Sequence, residues 1–78
     1  MKKLEPIHNS KVGDKVFSVA NGNGVVTDIG SSSYPVEVVF ENGECEVFRD
    51  NGALYVGENP VLFQDHLPEN YELYFEEL

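Results

Sequence analysis

The stretch KVGDKVFSVANGNGVVTDI, residues 11–29, decides the fold. It places two Asn-Gly pairs between two short apolar runs, KVFSV (15–19) and VVTDI (25–29). Short apolar runs bounded by Gly and Asn are typical of β-strands joined by a tight turn. We therefore predict two strands here. The ANGNG segment, residues 20–24, is expected to be chiefly a corner between them and not a ligand-binding loop.

A second hairpin is predicted directly after the first. The runs VEVVF (36–40) and CEVFR (45–49) flank Asn42-Gly43, a pair that favours the two-residue type I′ turn. The residues that would then share one buried face are Val36, Val38, Phe40, Cys45 and Val47. A longer loop would reverse the assignment of the second strand, and the position of Phe48 decides between the two.

The rest of the chain continues the pattern of short strands and turns. RDNG (49–52) predicts another turn, and Pro60 confines the segment GENPVLF (57–63) to a sheet edge or a strand start. The tail LPENYELYFEEL (67–78) fits either a strand or a helix period, and we expect a strand or irregular segment that closes the barrel. The whole pattern predicts an all-β antiparallel barrel of about five short strands.

Length and cysteine content restrict the class of protein. A chain of 78 residues allows one domain, which we divide into an N-terminal leader (1–10) and a barrel with an acidic tail (11–78). The single cysteine excludes an internal disulfide and multi-cysteine zinc patterns, and it suits a reducing cytoplasm. No apolar run approaches the roughly 20 residues of a membrane span, so we expect no membrane partner.

Charge is the most unusual bulk property, with a formal net charge of -9. Residues 1–15 hold four lysines and two carboxylates, whereas residues 16–78 hold one arginine and twelve carboxylates. Because nucleic-acid affinity depends largely on Lys and Arg that replace counterions, this balance disfavours direct DNA or RNA binding. We expect a protein partner with a basic surface, although a purely solubilising role for the charge is also consistent with the sequence.

The same stretches resemble the small SH3-like barrels of the Tudor and KOW type. Similar domains begin CarD-like transcription regulators and end UvrD-type helicases, and short phage and prophage proteins share the pattern. The resemblance covers roughly residues 11–49, and the later P.LF element is also similar. The matching positions are Val12, Gly13, Asp14, Val16, Gly22, Gly24, Val26, Val38, Phe40 and Gly43.

The resemblance implies a small barrel in which Val12, Val16 and Val26 point inward and the glycines form turns. CarD-like and UvrD-type barrels dock onto RNA polymerase. The resemblance therefore also implies a protein-binding face or edge, in a bacterial or phage-infected cell. Tudor domains that read methyl-lysine need an aromatic cage. The aromatics that could supply one are Tyr34, Phe48, Tyr55, Tyr71 and Tyr74, but core packing is the favoured interpretation.

No motif for catalysis is present in the sequence. His8 and His66 lack a spaced set of metal ligands, and we interpret His66 with Asp65 as a solvated pair. Cys45, between two glutamates, is interpreted as a small core residue because neighbouring carboxylates would raise a thiol pKa. The Gly-rich corner lacks the Lys and Ser or Thr of a phosphate-binding loop. We predict no enzyme activity, no cofactor and no metal.

Three functional hypotheses remain. The first is a module that docks onto a protein such as RNA polymerase or another nucleic-acid enzyme. The second is a phage- or mobile-element-encoded inhibitor that imitates nucleic acid, and the third is self-association through a strand edge. The candidate binding residues are Glu37, Glu44, Glu46 and Asp50 on the second hairpin, Glu69, Glu72, Glu76 and Glu77 in the tail, and Asn21 and Asn23 in the corner.

Overall fold

The computed structural model describes residues 2–66 and 73–75, which contain strands and turns and no helix. In chain order the strands are β1 (Lys2–Leu4), β2 (Lys15–Ser18), β3 (Gly22–Ile29), β4 (Val36–Phe40), β5 (Cys45–Phe48), β6 (Leu62–Gln64) and β7 (Leu73–Phe75). The predicted all-β class is confirmed, and the predicted strands at 15–19, 25–29, 36–40 and 45–49 correspond to β2 to β5.

Five strands form one antiparallel sheet in the order β5-β4-β3-β2-β6. This sheet curls into a half-barrel that is compatible with an SH3-like barrel. Strands β2 to β5 follow one another as a meander, and β6 returns to pair with β2 at the sheet edge. That edge position agrees with the restriction that Pro60 imposes on this segment. Within the tail, β7 pairs in parallel with β1 as a separate two-stranded sheet, so the prediction that a tail strand closes the barrel is wrong for the described residues 73–75.

The core lies on the concave face of the half-barrel and is built by alternate residues of the strands. Its buried members are Ile7, Val16, Val26, Val36, Val38, Phe40, Phe48 and Leu62. A smaller cluster of Leu4 and Phe63, with Phe17 packed against it, lies on the other face of β2 and β6. Residues 1–10 precede the barrel in sequence, yet Leu4 and Ile7 are among the most buried side chains.

The second hairpin has a three-residue loop, so the predicted two-residue type I′ turn is wrong. The Phe40 amide donates to the Glu44 carbonyl (2.8 Å), and the Gly43 amide donates to the Phe40 carbonyl (2.9 Å). Gly43 has φ +89°, whereas Asn42 is not among the residues with positive φ. A type I′ turn needs positive φ at both of its central residues, whereas this three-residue loop needs it only at the third residue, which is Gly43.

The longer loop reverses the face assignment of β5. Phe48 pairs with Val36 and is completely buried, while Cys45 pairs with Val39 and is exposed. The prediction that Cys45 and Val47 belong to the core is therefore wrong, and Val47 is 49% exposed. A shift of one residue in register moves every side chain of a strand to the opposite face.

The VGD segment is a turn held by its backbone and by the side chain of Asp14. The Gly13 amide donates to the Val26 carbonyl (2.8 Å), and the Val26 amide donates to the Asp14 carbonyl (3.0 Å). The Asp14 carboxylate accepts the Lys11 amide (2.9 Å). Val12 is 63% exposed, so its predicted inward orientation is wrong, whereas Val16 and Val26 are buried as predicted. Backbone hydrogen bonds, and not the side chain of Val12, fix this turn.

Candidate functional site

Strand β5 has an open edge in the part of the chain that the structure describes. Because the Phe40 amide bonds to the Glu44 carbonyl, the alternation of an antiparallel ladder turns the amides and carbonyls of Cys45 and Val47 away from β4. Among residues 2–66 and 73–75, no backbone group bonds to these outward groups. An edge strand with unpaired N–H and C=O groups is a template for another strand.

The opposite edge of the sheet is covered by the N-terminal segment. The Ile7 amide donates to the Leu62 carbonyl (3.2 Å), and the Gln64 amide donates to the Glu5 carbonyl (2.9 Å). Pro6 forms an isolated bridge with Phe63 between these two bonds. Residues 5–7 therefore satisfy the outer groups of β6, and the edge of β5 differs from the edge of β6 in having no such cover within the described ranges.

A groove of about 440 Å³ runs beside the open edge. Its lining comes from β5 and from the two loops that flank it, the β3–β4 loop and the β5–β6 loop. The lining residues are Tyr34, Cys45, Glu46, Val47, Leu54 and Tyr55. Tyr55 is 61% exposed, and Leu54 packs against the core. Apolar and aromatic side chains beside free backbone groups are the two components of strand-addition sites.

The hairpin carboxylates surround this edge but do not form one row. Glu37 pairs with Val47 and lies on the convex face, while strand alternation places Glu44 and Glu46 on the other face. Asp50 is exposed in the turn after β5. Neither Glu44 nor Glu46 pairs with a cationic side chain in the described part of the protein. The four tail candidates, Glu69, Glu72, Glu76 and Glu77, lie outside the described residues.

The ANGNG corner is tied to the second hairpin by the two asparagines. The Asn21 amide group donates to the carboxylate of Glu46, and the Asn42 amide group donates to the Asn21 side-chain oxygen (3.4 Å). The carbonyl of Asn23 accepts the Glu41 amide (3.0 Å). The corner thus contributes to the site by orienting Glu46. The sequence carried only a weak signal for this contact, because the two partners are 25 positions apart.

Of the five aromatic residues considered for a methyl-lysine cage, the three whose side chains the structure describes do not line one common site. Phe48 is buried and packs edge-to-face against Phe40, with ring centroids 6.2 Å apart. Tyr34 and Tyr55 line the groove beside β5. Tyr74 is part of β7, and Tyr71 lies outside the described residues. The groove therefore combines two tyrosines with the strand edge and one carboxylate.

The two histidines have structural hydrogen bonds. His66 Nε2 donates to the Gly24 carbonyl (2.7 Å), which anchors the half-buried ring of His66 to β3, and the His66 amide donates to the Asp65 carboxylate (2.8 Å). His8 Nδ1 lies 2.7 Å from the Gln64 amide nitrogen, which donates to it. Within residues 2–66 and 73–75 there is no group of three or more His, Cys, Asp or Glu side chains that could hold a metal ion. The described ranges also include no helix long and apolar enough to cross a membrane.

Comparisons with known proteins give no relative from which a function could be transferred. No family model, no curated protein and no solved structure matches the chain. The features that bear on function are therefore the open edge of β5, the groove beside it and the carboxylates that surround it.

Proposed function

We propose that the protein is a non-enzymatic binding module that docks onto a protein partner through the edge of β5. The observation that carries this proposal is the pair of residues, Cys45 and Val47, whose backbone groups face outward without a partner in the described ranges. A partner segment in extended conformation would continue the sheet antiparallel to β5. Main-chain hydrogen bonds then supply affinity, and side-chain pockets supply specificity.

Charge favours a basic partner surface over a nucleic acid. The chain carries a net charge of -9, and Glu44 and Glu46 lie beside the open edge without an ion pair to a cationic side chain in the described part. Such a surface attracts a partner rich in Lys and Arg and repels phosphate backbones. The resemblance to CarD-like and UvrD-type barrels of the Tudor/KOW kind makes RNA polymerase, or another nucleic-acid enzyme with a basic surface, the first class of partner to test.

The proposal is tested by capture with matched variants of Val47. Val47→Pro removes one outward N–H but no bond to β4, because the Val47 N–H points away from β4. Pro is tolerated on edge strands at positions where the N–H faces solvent. Val47→Ala truncates the same side chain and keeps the N–H. We expect a cell lysate to yield a protein that binds wild type and V47A, survives raised salt and is lost with V47P. Retention of the same protein by V47P would contradict docking through this edge.

Nucleic-acid mimicry by a phage- or mobile-element-encoded inhibitor is the second candidate, favoured by the acidic composition. A mimic needs carboxylates in a row that matches phosphates. Glu37 faces the convex side of the hairpin, whereas Glu44 and Glu46 face the other side, so the hairpin by itself offers no such row. A captured nucleic-acid enzyme that dissociates at raised salt and binds V47P as well as wild type would favour mimicry over docking.

A further inference from the structure

We infer that the strand accepted by β5 belongs to a different protein and alternates basic with apolar side chains. This inference rests on the proposed docking function and specifies its occupant. It follows from the register that the outward groups of β5 impose and from the charges at the intervening positions.

Pairing between two copies of β5 brings carboxylates together in two of the three possible registers. Only Cys45 and Val47 present outward groups, so a symmetric antiparallel pair can be centred on Cys45, Glu46 or Val47. Centred on Cys45, each Glu44 faces the Glu46 of the second copy, and centred on Glu46, the two Glu46 side chains face each other. Centred on Val47, Glu46 faces the Phe48 of the second copy, so this register brings no two carboxylates of β5 together.

These contacts are the closest ones that the pairing creates. Glu44 and Glu46 would occupy the non-hydrogen-bonded positions of the new ladder, where opposite Cα atoms are about 4.5 Å apart. Like charges directly opposite each other destabilise a strand pair. The net charge of -9 on each copy adds a longer-range repulsion. The carboxylates of β5 therefore oppose two of the three registers, and the net charge opposes all three, so self-association at this open edge is disfavoured.

The same positions favour a basic strand from another protein. A Lys or Arg opposite Glu46 would approach a carboxylate that the Asn21 side chain already holds in place, which reduces the rotamer entropy lost on pairing. Residues of the partner that lie opposite Cys45 and Val47 would extend over the groove beside Tyr34 and Tyr55. Small β-branched side chains suit that surface. The occupant is thus an extended segment in which Lys or Arg alternates with apolar residues.

The test uses three synthetic peptides with blocked termini: one that alternates Lys and Val, one that alternates Glu and Val, and one with the same Lys and Val grouped in two blocks. Binding is followed by fluorescence anisotropy and by amide chemical shifts of Cys45 and Val47. We expect the alternating Lys peptide to bind at least roughly tenfold more tightly than the other two. Glu44→Gln with Glu46→Gln should remove that preference, whereas Glu5→Gln, on the opposite edge, should retain it.

The outcomes separate this inference from the docking function itself. If both alternating peptides bind equally and V47P abolishes both, edge docking stands and the basic occupant is overturned. If V47P does not weaken the alternating Lys peptide, docking at this edge is overturned. Sedimentation equilibrium completes the test: we expect no V47P-sensitive dimer of the wild type, and a wild-type dimer that V47P dissociates would show that the occupant is a second copy.

Discussion

Gly24 lies directly opposite Phe40 in the β3–β4 ladder, and the Phe40 ring occupies the space into which a side chain at Gly24 would project. A Cβ atom at this position would lie 2.6 Å from Phe40 Cδ1 and 2.9 Å from the Val39 carbonyl oxygen. Both distances are shorter than van der Waals contact, and one neighbour is backbone that cannot move aside. The glycine is therefore required by packing and not by its own φ angle.

Gly24→Ala is expected to lower the free energy of unfolding by about 1–3 kcal/mol, since inserted methyl groups in a packed core force neighbours to shift. Urea denaturation measures this change. Gly30→Ala is the matched control, because its Cβ would meet only the Pro35 carbonyl oxygen at 3.9 Å. A change within about 0.5 kcal/mol is expected there. Equal losses for both variants would contradict the packing explanation.

Phe48→Ala tests the register of the second hairpin. Phe48 is completely buried against Phe40, so its truncation should cost about 3–5 kcal/mol, enough to unfold a small domain. Phe48→Leu, with an expected cost of about 1 kcal/mol, keeps the protein measurable. Val47→Ala should cost less than about 1 kcal/mol because this side chain is half exposed. The two-residue loop predicts the reverse order, with the large loss at Val47.

A double-mutant cycle on Asn21 and Glu46 measures the contact between the corner and the hairpin. A half-buried hydrogen bond to a carboxylate should give a coupling energy of about 1 kcal/mol when both residues are changed to Ala, singly and together. The Thr27 hydroxyl donates to the Glu37 carboxylate (3.0 Å) at an exposed position and supplies the control cycle. Its coupling should stay below about 0.5 kcal/mol. A coupling energy of zero between Asn21 and Glu46 would contradict the proposal that Asn21 holds the Glu46 carboxylate in place.

The thiol of Cys45 should react readily in the folded protein, because the side chain is exposed on the convex face of β5. Reaction with Ellman's reagent is expected to be within roughly tenfold of the rate in denaturant. A core thiol would react only through unfolding and would be slower by a factor of about 10³ or more. Such protection would restore the buried orientation of Cys45 that the two-residue loop implies.

The strands of the sheet could be predicted because their signals are local. KVFSV, VVTDI and VEVVF are short apolar runs bounded by Gly, Asn or Pro, and each became a strand. The loop at Asn42-Gly43 could not be predicted because the same dipeptide fits a two-residue turn and a three-residue loop with glycine at its end. The difference of one residue decided whether Cys45 or Phe48 is buried.

The features of the candidate site depend on contacts between residues that are far apart in the sequence, so they could not be predicted from local sequence patterns. The cover of β6 by residues 5–7 and the contact between Asn21 and Glu46 join segments that the chain separates widely. No periodicity reports such contacts. The acidic hairpin was correctly located as a strand pair, but which of its carboxylates share a face depended on the register.

The cover that residues 5–7 place on β6 determines how large an assembly can become. In a sheet with two open edges, each molecule can pair with one neighbour at each edge, so the assembly can grow into a fibre. Here one side of the sheet is capped by the chain itself, so a strand added at β5 uses the open edge of the described sheet. Binding at β5 would then end after a single partner. Docking at β5, as proposed, would therefore give complexes of one-to-one composition.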